Sequence, residues 1–296
     1  MKKQALLLVL LFFVSMIVFA QKQLKYNLTT EDSFIIHQNT TQHITQTLPY
    51  GEQVVTNEIG GDMFFNVVKV QEDSISIEMQ YKSLKMKMSS PSLGDLMTVD
   101  TSVTPDSTDI QALIFQGLVD APVTFTMLRT GKIVSFNGAE NLISSMLKSA
   151  KITEPNMVDV IRASLDGQWG DETLINNFEQ MIYVYGNNTS SKGDTWQNQY
   201  TGDLSAKNTW KIEAIDNEKA QLVGDATIEM NTTNKDISMA LTGTQESIMS
   251  IDPQTGLITE AKVSGSCKGD SIMTVSPDTK IPTSITYTNN YKTSKH

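Results

Sequence analysis

Between Met63 and Met88 the chain reads MFFNVVKVQEDSISIEMQYKSLKMKM, two long alternating stretches of apolar and polar residues around an acidic turn at Gln71 to Ser74. Successive side chains of an extended backbone point to opposite faces, so this pattern predicts two paired strands with one apolar face and one wet face. The same period returns from Tyr185 onward in TWKIEAIDNEKAQLVGDATIEM, KDISMALTG and KIPTSITYTNNYK. Cys267 is the only cysteine, so no intrachain disulfide can staple these strands and an apolar core must hold them.

Other segments fill in the architecture. Leu24, Tyr26 and Leu28 alternate in QLKYNLTT and read as a further strand, and DSFIIHQNTTQHITQTL suits a strand with one wet face. Residues 89–109, with Pro91, Gly94 and Pro105, read as a loop. Helical spacing then appears: Ile110, Leu113, Ile114 and Leu118 share one face, as do Leu142, Ile143, Met146, Leu147 and Ala150. TEPNMVDVIRASL starts with Pro155, which suits a first helical turn, and DETLINNFEQMI groups Leu174, Ile175, Phe178, Met181 and Ile182. Thr130-Gly131 and Asp252 to Gly256 mark tight hairpins.

The expected organisation is a signal peptide at 1–20, a first β-rich half at 21–138, a helical segment at 139–184 and a second β-rich half at 185–296, the halves forming one composite domain. IEM at 77–79 and 228–230, with RTGKIV and QTGLIT beyond them, fits an old duplication and equally fits features that any two meanders share. The fold class is α+β: long antiparallel strands in one or two strongly curved sheets, with short amphipathic helices covering an apolar concave face.

The start, MKKQALLLVLLFFVSMIVFAQ, places two lysines before an apolar run ending in Val18-Phe19-Ala20, the pattern of an export signal cleaved after Ala20. The run is shorter than the roughly 20 residues a membrane span needs, and no cysteine stands near the junction to take a lipid. The expectation is an exported protein of a bacterial periplasm or exterior, without a lipid anchor and without a transmembrane segment once the leader is removed. With 23 basic and 33 acidic residues the net charge is −10, and −12 without the two leader lysines. Such a surface repels phosphate backbones and anionic headgroups, so the expectation is neither nucleic acid nor direct membrane binding.

Candidate chemistry is sparse. Met86 and Met88 share a strand face with Leu84 and flank Lys85 and Lys87; two thioethers suit copper(I), but a third soft ligand is missing and the lysines repel a cation. Ile237, Met239 and Leu241 repeat the arrangement, so both triplets read as apolar wall. GSCKG at 265–269 has the spacing of a nucleophile elbow, yet period two continues on both sides and the downstream histidine is the terminal His296. Cys267 therefore reads as a buried thiol. His37 and His43 fall on the wet face without a third zinc ligand. DPQTGLITE is too short for a calcium loop, and RTGKIV lacks the residues of a phosphate loop. Trp196, Tyr200 and Trp210 read as core more readily than as a sugar platform.

The order of features, from VDTSVTPDSTD through VTFTMLRTGKIVSFNG and a helical middle to GDTW and IDPQTGLITEAKVSGS, resembles a family of exported, uncharacterised bacterial envelope proteins. That family is classed as a domain of unknown function, and many members are lipoproteins. The resemblance implies an envelope location and a β-rich fold and supplies no catalytic residues or cofactor; this chain departs from the lipoprotein members in lacking the anchoring cysteine.

The leading expectation is a non-enzymatic protein binding a lipid or other apolar molecule in the concave sheet, with Leu84, Met86, Met88, Ile237, Met239 and Leu241 as lining. Each buried methylene of such a ligand contributes about 0.8 kcal/mol. The alternatives are a structural or interaction protein of the envelope with a solid core and a partner protein, and a hydrolase built on two facing carboxylates.

Overall fold

A computed structural model describes residues 23–187, 189–233 and 237–296; the export signal expected at 1–20 lies outside the described residues. Twelve strands form one antiparallel sheet. In chain order they are β1 (Ser33–Leu48), β2 (Gly51–Val70), β3 (Ser74–Ser90), β4 (Gly94–Asp100), β5 (Val123–Leu128) and β6 (Ile133–Asn137). The second half supplies β7 (Thr195–Tyr200), β8 (Leu204–Ile215), β9 (Ala220–Thr233), β10 (Ile237–Ile251), β11 (Ile258–Met273) and β12 (Lys280–Lys295). Across the sheet the order is β6-β5-β3-β2-β1-β12-β11-β10-β9-β8-β7, with β4 beside β3. β1 and β12 join the halves from Phe34 opposite Lys295 to Gln46 opposite Thr283. The class is α+β, with one open sheet where the sequence left one or two.

Register explains how the apolar face stays continuous. Ile75, Ile77 and Met79 on β3 are buried, but two-residue alternation would then turn Leu84 outward. Tyr81 pairs with Met63 and Ser83 with Asp62, so Lys82 is an extra residue on β3. This bulge resets the phase and returns Leu84, Met86 and Met88 to the inner face.

Four helices lie in the described residues: α1 (Ile110–Gln116), α2 (Ala139–Ser149), α3 (Pro155–Trp169) and α4 (Asp171–Ile182). The Asp109 carboxylate caps α1 by accepting the Ala112 N–H at 2.9 Å. Asp171 and Glu172 place negative charge in the first turn of α4, where the helix dipole favours it. Helix α2 buries Leu142, Ile143, Met146 and Leu147, the stripe its spacing marked out.

Helix α4 and the segment after it span both free edges of the sheet. On one side the Glu179 carboxylate accepts the Ile133 N–H of edge strand β6 at 2.8 Å. On the other, the Tyr183 carbonyl accepts from Asn198 at 2.7 Å and the Val184 carbonyl from the Trp196 indole at 3.0 Å, both on edge strand β7. One short stretch can reach both edges only if the sheet is curled. Phe178 of α4 anchors the strap, its ring 5.7 Å from Phe125, 6.1 Å from Phe136 and 6.5 Å from Phe65.

One end of the curled sheet is sealed. Leu24, Tyr26 and Leu28 are buried there as the alternation implies, yet the segment joins no strand. Its N–H groups bond instead to loop carbonyls: Leu24 to Thr189 (2.8 Å), Tyr26 to Arg129 (2.9 Å) and Asn27 to Thr255 (2.7 Å). The Arg129 guanidinium donates to the carbonyls of Gln71, Glu72 and Tyr26, tying three loops together. Gly131 and Gly256 turn the two Thr-Gly hairpins at positive φ (93° and 70°), and a Cβ on either would lie within 2.0 Å of a facing carbonyl oxygen. A second difference is β4, a strand within the stretch read as a loop. β3 runs past the end of β5, and its segment Lys85–Ser90 would otherwise be an unpaired edge.

Candidate functional site

The concave face changes character along the strands. Near the sealed end it is apolar and filled: Phe34, Ile36, Phe65, Ile77, Phe125 and Met181 surround a void of only about 30 Å³. Toward the middle a cavity of about 400 Å³ opens between the sheet and α4, within the roughly 300–1,000 Å³ of small-molecule sites. Ile59, Met63, Leu204 and Met230 give it apolar wall from the sheet, and Phe178 and Met181 from α4. Gln38, Thr40, Gln42 and Asn289 give polar wall from β1 and β12, joined by Asn177 and Gln180 of the helix and by Tyr81, Tyr287 and Tyr291.

None of these fifteen lining residues is charged. The segregation extends beyond the cavity. Pairing registers put Ala261, Val263, Gly265 and Cys267 of β11 in line with Tyr291, Asn289, Tyr287 and Ile285 of β12 on the inner face. The intervening residues Glu260, Lys262 and Lys268 point outward. The side-chain hydrogen bonds around this band are between neutral groups. The Tyr287 hydroxyl donates to Gln245 Oε1 (2.7 Å), and Gln245 Nε2 donates to the Tyr200 hydroxyl (3.4 Å). Asn57 Nδ2 donates to Gln42 Oε1 (2.9 Å), and Gln38 Nε2 to Thr40 Oγ1 (3.1 Å). Two buried carbonyl oxygens of this band, Asn57 Oδ1 and Asn289 Oδ1, have no hydrogen-bond partner.

The residues singled out from the sequence flank this cavity. Leu84, Met86 and Met88 lie on the inner face of β3, Leu84 buried and the methionines half-buried; Ile237, Met239 and Leu241 lie on β10, with Leu241 buried. Four strands separate the two triplets, so the sheet does not join them into one patch. Each meets the cavity through a neighbour: Met86 pairs with Ile59, and Leu241 with Met230. Met86 and Met88 also face Val99 and Met97 of β4 across the pair.

What sequence reading missed is the polar band. Gln38, Thr40 and Gln42 stand in phase with Ile36 and Ile44, so the alternation that makes those isoleucines inward makes these three inward too. Polar residues in phase with a buried stripe were the available signal.

Cys267 is buried, and burial pushes its thiol above the ordinary value against a weaker pull from the Ile285 backbone. His37 and His43 are outward, bonded to Asp62 (2.7 Å) and Thr56 (3.0 Å). Trp210 and Tyr200 are buried and Trp196 half-buried. Among the described residues, no three His, Cys, Asp or Glu side chains gather as a metal site requires, and no helix is long and apolar enough to cross a membrane.

Fold and site together define an open, curled antiparallel sheet strapped by a helix over an uncharged cavity. Residues 72–258 match the profile of DUF6263, a family of unknown function, and the chain belongs to that family. No curated protein matches the sequence. Among solved structures, one of lipid–protein interactions in lipovitellin aligns at TM-score 0.48 and 12% identity, over 90% of this chain and 25% of that one. An outer-membrane channel from Pseudomonas putida F1 aligns at TM-score 0.26 and 6% identity, over 91% of this chain and 98% of the channel. This chain thus spans a quarter of the lipovitellin chain.

Proposed function

We propose that this protein is an exported, non-enzymatic binding protein of the cell envelope that holds a molecule with an apolar part in the cavity between the concave sheet and α4. The observation carrying this reading is the cavity itself: about 400 Å³, against a void of only about 30 Å³ near the sealed end, walled by Ile59, Met63, Phe178, Met181, Leu204 and Met230. An apolar group entering it leaves water, at about 25 cal/mol per Å², and meets a wall already held in place by the strap. The wall carries no carboxylate, histidine or cysteine, which favours binding over acid–base or nucleophilic chemistry. Export rests on the lysine-led apolar leader.

The test is to isolate the full-length product from its native envelope under gentle conditions and analyse organic extracts by mass spectrometry. A recurrent apolar or amphipathic molecule, released in proportion to the protein, is the expected result. Repeated extraction of nothing, with no probe binding on titration, would overturn the reading.

The outer rim favours a second reading, as an interaction protein. Tyr50 (87% exposed), Leu93 (63%) and Val275 (83%) sit at three hairpin tips away from the sealed end. Exposed apolar tips suit contact with another envelope component. Crosslinking in intact cells with a photoreactive residue at Tyr50 should then yield one discrete adduct; its absence at all three tips would dismiss this reading.

A further inference from the structure

We infer that the cavity selects an uncharged amphiphile whose polar head donates hydrogen bonds, such as a hydroxylated or sugar-like head on an alkyl chain. This deepens the binding proposal and rests on it. Two observations carry it. First, the cavity wall has no charge of either sign, in a chain where 19% of residues are charged. A buried ionic head would meet no counter-charge there, and burying an unpaired charge is heavily penalised. Second, a buried acceptor of the polar wall is unpartnered: Asn289 Oδ1 has no donor, and neither has Asn57 Oδ1, on the β2 residue paired with the lining residue Gln42. A buried acceptor left unpaired is costly, so a ligand O–H or N–H that reaches it gains more than the same group does in water. A plain hydrocarbon leaves both oxygens as they are, and a sulfate or carboxylate head brings a third set of acceptors. Three of the apolar lining side chains, Met63, Met181 and Met230, are flexible thioethers that adapt to a chain of varied shape.

The experiment titrates the full-length protein with three probes sharing one eight-carbon chain, all below their micellar concentrations: octyl glucoside, octyl sulfate and octyltrimethylammonium. Calorimetry is the readout. The glucoside is expected to bind at least tenfold more tightly than either ion. Asn289→Leu should lower glucoside affinity about tenfold and leave the ions unchanged, with circular dichroism confirming the fold. Gln42→Glu, an inward carboxylate at a half-buried position, should transfer the preference to the ammonium probe. Equal or tighter binding of an ionic probe by the unmodified protein overturns the inference while leaving the binding proposal standing. If none of the three probes binds and no native ligand is extracted, the binding proposal itself fails, and the inference with it.

Discussion

Replacing Asn198 with alanine should cost about 2–5 kcal/mol of folding stability, and the figure follows from three bonds. Asn198 Oδ1 accepts both the Asn208 side-chain amide and the Trp210 indole N–H, each at 3.0 Å, and its Nδ2 donates to the Tyr183 carbonyl at 2.7 Å. Asn208 and Trp210 are each only 3% exposed, so neither donor can turn to water when the acceptor is removed. An orphaned buried donor costs about 1–3 kcal/mol, and two of them set the range after partial relaxation. The loss is large against a typical total of roughly 5–15 kcal/mol. Urea unfolding followed by circular dichroism would measure it as a shift in midpoint at unchanged slope. The decisive arm is a double-mutant cycle. In a Trp210→Phe background one of the two donors is already gone, so Asn198→Ala should cost about 0.5–3 kcal/mol less than in the native background. A loss below about 1 kcal/mol, or an identical loss in both backgrounds, would refute the claim that this one amide ties strand β7 to the strap.

Three further outcomes are expected. Phe178→Ala removes the ring that Phe65, Phe125 and Phe136 pack against and should cost about 3–5 kcal/mol in the same assay; a loss under about 1 kcal/mol would mean α4 is not anchored there. Burial pushes the Glu179 carboxyl above its ordinary value of 4.5, against weaker opposing pulls from the Ile133 N–H and Lys132. The native state then binds more protons than the unfolded chain between 4.5 and the raised value, so stability is fullest below 4.5 and falls as pH rises through that window. Glu179→Gln keeps an acceptor for Ile133 and should flatten this fall, read as urea midpoints from pH 4 to pH 7; an unchanged slope would contradict the assignment. Cys267 is buried with its thiol pushed up, so a thiol reagent should modify it only at the rate of unfolding, and rapid labelling of the native protein would be incompatible with its position.

How much of this was legible depends on the range over which each decision is made. The long strands, the Thr-Gly hairpins, the four helices and the inward thiol are local consequences of period, turn residues and caps, and the sequence carries them openly. The strand succession is faintly repeated too: β3, β5 and β6 lie side by side, as do β9, β10 and β11, the elements that hold IEM and the two Thr-Gly turns. What was hidden depends on partners. Leu24, Tyr26 and Leu28 alternate like a strand, but the backbone of this segment bonds to loop carbonyls of residues 129, 189 and 255. Residues 94–100 sit inside a stretch punctuated by Pro91, Gly94 and Pro105, yet they become β4 because β3 outruns β5. Glu179 and Asn198 carry no signature at all, since each matters only once the sheet curls enough to bring its edges to one helix. The candidate lining was legible by face and not by place. Leu84, Met86 and Met88, and Ile237, Met239 and Leu241, are inward, but which inward residues border a hollow is set by where α4 crosses.

That crossing bears on why a hollow persists at all. A curled sheet whose inner face was wholly apolar would gain by drawing the helix down until the space closed, as it nearly does around Phe34, Phe65 and Phe125. Gln38, Thr40, Gln42 and Asn289 remove that drive over the middle of the face, because their groups gain little from contact with Met181 and lose hydration by it. Charged residues at the same positions would hold the cavity open as well, but at the cost of repelling apolar matter and demanding counter-ions. Neutral amides and hydroxyls are the intermediate case: polar enough to resist collapse, yet cheap enough to desolvate when a ligand supplies the missing donors. The edges enforce the same balance. On β6 the Glu179 carboxylate takes one backbone N–H that the edge would otherwise leave unpaired, that of Ile133, and beside β7 the Tyr183 and Val184 carbonyls take the side-chain donors of Asn198 and Trp196. Held at both sides, α4 cannot settle further onto the sheet. The strap thus also sets the height of the cavity roof. Shortening either tether should change the volume available to a ligand before it changes the polarity of the wall.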